Sequence, residues 1–169
     1  IHNLRYHQQE MGLPLQIWRE RIRCLYDRKY RKFVHMLETE IDKIAAYTVL
    51  TEPKELEGRI WTKVVELGIG ENCNPVKVLR VMVEQLGQGF GANYFFAEVN
   101  TKLPGLADQL CRLFGFHFLQ DEGLLEKLIT TYMQDSFVRI QKDGNGLIIQ
   151  KGIFFDPNYS AYIITNHSS

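Results

Sequence analysis

Apolar and aromatic side chains recur at steps of three and four from Leu15 onward. The series is Leu15, Trp18, Ile22, Leu25, Tyr26, Tyr30, Phe33, Leu37, Ile41, Ile44 and Tyr47, closing at Thr48. That spacing keeps side chains on one face of a helix. No Gly or Pro interrupts it. The pattern predicts one long helix over residues 15–50, roughly 50 Å at about 1.5 Å per residue. The rest of the chain is expected to pack around it. Residues 1–12 are polar and read as an arm, and Pro14 suits a first helical position, where a missing N–H costs little.

Further helices follow from the same pattern. Thr51 reads as an N-cap before Pro53, with Glu55 and Glu57 in the first turns and a stripe of Leu56, Ile60, Val64 and Leu67. Gly68-Ile-Gly70 would end it. Asn74-Pro75 opens another, lined by Val76, Leu79, Val83 and Leu86 and stopped by Gly87. The β-branched content there leaves a strand open as an alternative. Residues 92–102 are predicted helical. Pro104 opens a helix with Leu106, Leu110 and Leu113 inward, ending at Gly115, and Asp121 caps one running to Gln134. The texture changes after that. Phe137–Gln141 and Leu147–Lys151 flank Asp143-Gly-Asn-Gly146, which predicts a hairpin, with Ala161–Thr165 as a possible third strand. The expected fold is therefore mainly α: a single domain, with helices over 14–135 and a β-hairpin over 136–165.

Composition narrows the classes without naming one. The chain has 169 residues, 45% hydrophobic and 24% charged, enough for a globular core. Lys plus Arg is 20 and Asp plus Glu is 20, so any case for a polyanionic partner must be local. Cys24, Cys73 and Cys111 are far apart and odd in number, which fits reduced thiols in an intracellular, cytoplasmic or nuclear protein. Asn158-Tyr-Ser160 and Asn166-His-Ser168 match a glycosylation pattern short enough to arise by chance. No run is long enough to span a bilayer, so no membrane is expected. A start at Ile1 is expected to belong to a longer protein.

Charge along the long helix is uneven. Arg19, Arg21, Arg23, Arg28, Lys29, Arg31 and Lys32 crowd its first half, interleaved with Tyr26, Tyr30 and Phe33. Glu38, Glu40 and Asp42 follow. Bases that neutralise phosphates release counterions, and aromatics can stack on nucleobases. On a helix Arg21, Arg28 and Lys32 align, and so do Arg19 and Arg23, with Tyr30 beside them. This half-helix is the candidate contact for RNA or DNA, or for an acidic protein. A solvated face with core aromatics is the plainer alternative.

Gly87-Gln-Gly-Phe-Gly-Ala92 matches the spacing of a dinucleotide-binding turn, with Asp108 at about the right distance. A loop between helices accounts for the same glycines. The stretch Leu86-Gly-Gln-Gly-Phe-Gly91, then Glu98-Val-Asn100, then Ala107 to Phe116 ending Leu-Phe-Gly-Phe, resembles the acetyl-CoA-binding half of a Gcn5-type N-acetyltransferase. The resemblance implies a mixed sheet upstream, a glycine turn that opens a helix and holds a pyrophosphate, then a strand, a helix and a Gly-Phe strand. Leu86 stands where that family has an arginine or glutamine, and the upstream pattern reads as helices.

Lys142-Asp-Gly-Asn-Gly146-Leu-Ile148 resembles the middle of an EF-hand loop. Gln141 and Gly152 stand where that loop needs Asp and Glu, so no metal is expected. His35 and Glu38 would share a helix face, and His117 reads as a core or edge residue. No nucleophile or metalloprotease motif is present. The sequence points first to a non-enzymatic protein–protein interaction or assembly module without a cofactor, self-associating or holding a partner through its wide helical stripe. Nucleic-acid binding through residues 19–32 stands second, and a CoA- or nucleotide-binding acyltransferase-like enzyme at Gly87–Ala92 third. Nucleotides and acetyl-CoA are expected not to bind.

Overall fold

A computed structural model describes residues 32–38, 44–69, 77, 80, 81, 84, 91–133, 137–153 and 156–167. The described strands are β1 (Lys32–Glu38), β2 (Ile44–Thr51), β3 (Lys54–Leu56), β4 (Arg59–Ile69) and β5 (Tyr94–Asn100), then β6 (His117–Phe118), β7 (Arg139–Lys142), β8 (Leu147–Ile153) and β9 (Asp156–Thr165). Two helices stand among them, α1 (Pro104–Phe114) before β6 and α2 (Glu122–Tyr132) before β7. All nine strands join one mixed sheet in the order β1-β2-β4-β5-β9-β8-β7, with β3 added to β4 and β6 to β9.

The mainly α expectation is therefore wrong, and the long helix is its chief error. Where it falls on described residues, that segment forms two antiparallel strands, with Phe33 opposite Leu50 and Leu37 opposite Ala46. His35 and Glu38 both lie in β1, so they do not stand one helical turn apart as the expected helix required. The physical cause lies in β2, where Tyr47, Thr48, Val49 and Leu50 are all buried. A strand covered on both faces loses its alternation and reads as a continuous apolar run, which a helical template fits equally well.

The second predicted helix is β3 and β4. Its middle holds Glu57 (φ 54°) and Gly58 (φ 74°), a two-residue turn with both residues left-handed. Turns of that kind match the twist of flanking strands and close hairpins, and Leu56 duly pairs with Arg59. The helix predicted over 92–102 is β5, whose Phe95, Phe96, Val99 and Asn100 are buried on both faces. Lys77, Arg80, Val81 and Glu84 are helical and exposed, at the spacing of one helix face, while Asn74-Pro75 lies outside the described residues.

Downstream the local signals hold. Pro104 starts α1, and Gly115 ends it in the left-handed conformation at φ 66°. Asp121 caps α2 by accepting a hydrogen bond from the Leu124 N–H at 3.1 Å. The hairpin forms as expected, with Lys142 opposite Leu147, and β9 is a full third strand beside β8.

The two helices cover opposite faces of the sheet. Leu124, Leu125 and Leu128 of α2 pack on Trp61, Phe96, Ile149, Ala161 and Ile163. Ala107 of α1 packs on Val99, Ile148, Tyr162 and Ile164 on the other side. Alternation along β5 and β9 sends neighbouring residues into these two cores. Tyr132 closes α2 onto the sheet by donating its hydroxyl to the Trp61 carbonyl at 2.6 Å. Among the described residues no helix is long and apolar enough to cross a membrane.

Candidate functional site

The sheet contains one parallel pair among its described strands. β4 and β5 run side by side through Trp61–Tyr94, Thr62–Phe95, Lys63–Phe96 and Val64–Ala97, and the ladder ends there. Both strands continue beyond that point. β4 stays paired with β2 as far as Ile69, and β5 stays paired with β9 as far as Asn100. Each strand follows its outer neighbour, and the facing edges of 65–69 and 98–100 part into a fork.

β4 is irregular at the parting. Val49 pairs with Glu66 and Leu50 with Val64, so Val65 is an extra residue in β4. A bulge of this kind bends its strand and increases the local twist. It falls one residue after the last pair of β4 with β5.

Main-chain donors and acceptors on the facing edges have no ladder partner among the described residues. Buried backbone polar groups must find partners, so a fork of this kind suits an extended ligand bearing amides. In the chain, the helical residues Lys77, Arg80, Val81 and Glu84 fall between the end of β4 and the start of β5.

A charged cluster stands where the strands part. Lys63 sits one residue before the last ladder pair and Glu98 one residue after it, on the same face of the sheet. Lys63 Nζ lies 2.5 Å from Glu98 Oε2, and Lys151 of β8 lies 2.7 Å from Oε1. Their side chains are 12%, 11% and 13% exposed, so the cluster is largely desolvated but not sealed. Burial pushes the Glu98 carboxyl up, yet the two lysines overcome it and hold the group at about 2. Burial lowers the Lys151 ammonium against the pull of Glu98, with Lys63 adding repulsion. Lys151 also stands 5.6 Å from the Tyr159 ring centre.

An open concavity of about 260 Å³ adjoins the cluster, lined by Lys151 itself together with Phe137, Arg139, Gln150, Asn158 and Tyr159. Phe137 is 88% exposed there. His167 is buried, packed 5.4 Å from the Trp61 ring and 5.1 Å from that of Tyr94, and its Nδ1 has no hydrogen-bond partner. His117, exposed on its short strand, contacts the His167 carbonyl through Nε2. Cys111 on α1 is a free thiol pushed up to about 11, by burial first and by Asp108 second, so it is not a ready nucleophile.

The residues singled out from sequence fare unevenly. Arg19, Arg21, Arg23, Arg28 and Tyr30 lie outside the described residues. Lys32 opens β1 opposite Thr51, in a strand, so it cannot complete a helical row with Arg21 and Arg28. Of Gly87–Ala92, only Gly91 and Ala92 are described, and they lead directly into β5 rather than into a helix. The turn therefore lacks the helix that a dinucleotide or pyrophosphate site needs after it. Asp108 lies within α1, not at a strand end. In the EF-hand-like stretch, Asp143 Oδ1 accepts from the Asn145 and Gly146 N–H groups and Oδ2 from the Tyr162 hydroxyl, which closes the hairpin turn.

Lys63 and Lys151 belong to no motif in the sequence, and Glu98 enters only through the Glu98-Val-Asn100 stretch of the acetyltransferase resemblance. Their signal was single charges inside strand-like apolar runs, as in Phe95-Phe-Ala-Glu98-Val. Opposite signs in separate runs hint at pairing, but only the sheet order brings β4, β5 and β8 onto one cluster. Compared with family models and with curated proteins, the chain matches none.

Proposed function

We propose that this domain binds a CoA thioester in the fork between β4 and β5 and works as an acyltransferase-like enzyme. The observation that carries the reading is the single parallel pair, bulged and parted at Val65. Around it stands the element order that the acetyltransferase resemblance implies. Antiparallel strands come first, the connection from β4 to β5 includes helical residues at Lys77, Arg80, Val81 and Glu84, and Glu98-Val-Asn100 ends β5. Then α1 carries Ala107, and Gly115-Phe116 leads into β6. One departure from that family is removed among the described residues, since strands stand where helices were expected upstream, and Leu86 remains. The glycine turn moves. Gly68-Ile-Gly70 is the pair of glycines that comes before the crossover helix, whereas Gly87–Gly91 comes after it.

In this reading the facing edges of β4 and β5 receive the amides of the pantetheine arm as an added strand would, and the thioester reaches the apex beside Lys63 and Glu98. Glu98 is held too acidic to take a proton near neutral pH, so its role is to orient the two lysines. This replaces the expectation that no cofactor binds, which rested on an apparent lack of strands around the glycines.

Calorimetry with CoA and acetyl-CoA, joined to amide exchange, tests the proposal. A one-to-one complex in the micromolar range is expected, with slowed exchange at 65–69 and 98–100. No heat at millimolar CoA and no protection at those amides would remove it.

A second reading keeps the protein-interaction class. β7 is an outer strand of the sheet, and Phe137 stands exposed beside it. An open edge with a free aromatic suits a partner that adds a strand. A labelled Phe137→Ala chain that still captures the partner seen with wild type would count against it.

A further inference from the structure

The turn between β7 and β8 carries the chain's one Asn-Gly step, Asn145-Gly146. Asparagine is a thermolabile residue, and the chemistry is local. Once the Gly146 nitrogen loses its proton to a water base, it can attack the Asn145 side-chain Cγ, with no side chain of its own in the way. The new N–C bond closes a five-membered imide as ammonia leaves, taking a proton from water. Water then opens the imide at either carbonyl, which leaves aspartate or isoaspartate. Asn145 is exposed, so solvent reaches every step.

The fold opposes this reaction at each polar atom involved. Asp143 Oδ1 accepts from the Asn145 N–H at 2.8 Å and from the Gly146 N–H at 3.2 Å. The Asp143 N–H donates to the Gly146 carbonyl at 3.1 Å, and Gln120 Nε2 to the Asn145 carbonyl at 2.8 Å. Asn145 Nδ2 reaches the Tyr162 hydroxyl at 3.4 Å, and that hydroxyl donates to Asp143 Oδ2 at 2.8 Å. Bringing the Gly146 nitrogen onto Cγ therefore moves a peptide that is held on both sides. The carboxylate acts twice. It binds the proton that the nitrogen must lose, and its charge disfavours the anion left behind.

We infer that Asn145 is a deamidation site kept closed by Asp143, whose carboxylate locks the Gly146 nitrogen. Release is one-way. It sets a second carboxylate at position 145 beside Asp143, and isoaspartate also lengthens the backbone. Each local opening long enough for attack is recorded as a permanent negative charge.

The test follows the tryptic peptide spanning 143–151 by mass spectrometry, for loss of ammonia, gain of water and the isoaspartyl isomer. The whole chain is incubated at neutral pH, folded and unfolded in urea. Folded wild type should react far more slowly than the unfolded chain. Asp143→Ala should raise the folded rate by roughly ten-fold, the factor expected of one hydrogen bond to a charged group. Amide exchange separates the lock from general loosening. Gly146 should exchange faster in the variant, while Leu147, whose N–H donates to the Leu119 carbonyl at 3.0 Å, stays protected. Should Asp143→Ala fail to fold, Tyr162→Phe frees Asp143 Oδ2 alone and should give a smaller rise. Equal rates in folded and unfolded wild type, no rise in the folded variants, or joint loss of protection at Gly146 and Leu147 would overturn the inference.

Discussion

Lys63 and Glu98 form a 2.5 Å ion pair across the point where the only described parallel ladder ends. One belongs to β4 and the other to β5, so the pair ties the strands together just before they part. The bulge at Val65 falls just past the last ladder pair, and the ion pair spans that pair. Lys151 anchors the same carboxylate to β8, beyond β9. The apex is thus held by charge beside a bulge in the backbone.

Removing Glu98 should be severe. Glu98→Ala leaves two desolvated ammonium groups facing each other, and breaking a buried pair in this way costs about 3–5 kcal/mol. Urea denaturation should show that loss as a lower midpoint at unchanged slope. Glu98→Ala with Lys151→Met should recover part of it, because one unpaired charge goes too.

The same carboxylate sets an acid limb. Its folded value, about 2, lies below the ordinary 4.5, so the unfolded chain binds more protons in between. The stability it contributes is whole above pH 4.5 and disappears as pH falls towards 2. Melting temperature against pH should fall across that window in wild type and fall less in Glu98→Gln.

His167 should give a second limb at higher pH. Burial holds its imidazole below the ordinary 6.5, with Arg59 and His117 adding to the shift. Here too the unfolded state binds the extra proton, so stability is complete above 6.5 and declines as pH drops below it. His167→Phe keeps the packing against Trp61 and Tyr94 and should flatten this part of the curve. An unchanged slope between pH 7 and 5 would show that His167 does not contribute it.

Two glycines in one turn should respond differently to Ala. At Gly146 an added Cβ would lie 2.9 Å from Phe118 Cβ and 3.1 Å from the Leu119 carbonyl oxygen, and neither is the end of a flexible chain. Overpacking of this kind costs typically about 1–3 kcal/mol. At Gly144 nothing stands within 4 Å, so Gly144→Ala should be within about 0.5 kcal/mol of wild type. Paired thermal melts decide it.

Leu125 lies at the centre of the α2 core with no exposure. Leu125→Ala should cost about 2–5 kcal/mol through lost burial and the cavity left behind. Losing the α2 cap through Asp121→Ala should cost only about 1 kcal/mol. Denaturant midpoints should rank the two variants in that order.

Some elements were legible because their signals are local. Pro104 and Gly115 bound α1, Asp121 caps α2, and Asp143-Gly-Asn-Gly146 closes the hairpin. Each of those residues acts on backbone within a few positions of itself. The Glu57-Gly58 turn is equally local, but the helical spacing of Leu56, Ile60, Val64 and Leu67 runs across it and masks it.

What the sequence determined by itself was therefore the second half: two helices with their end signals, a tight hairpin turn, the run that starts β8, and the C-terminal half of β9, which begins at Asp156 rather than Ala161. Only the tertiary structure decided the first half and the site. β2 and β5 are buried on both faces, and that burial erases the alternation that would mark them as strands. The fork depends on which strands are neighbours, and the charged cluster draws one residue each from β4, β5 and β8. Pairing between residues 63, 98 and 151 leaves no trace in local spacing, because it is the order of strands in the sheet, set by long-range packing, that brings them together.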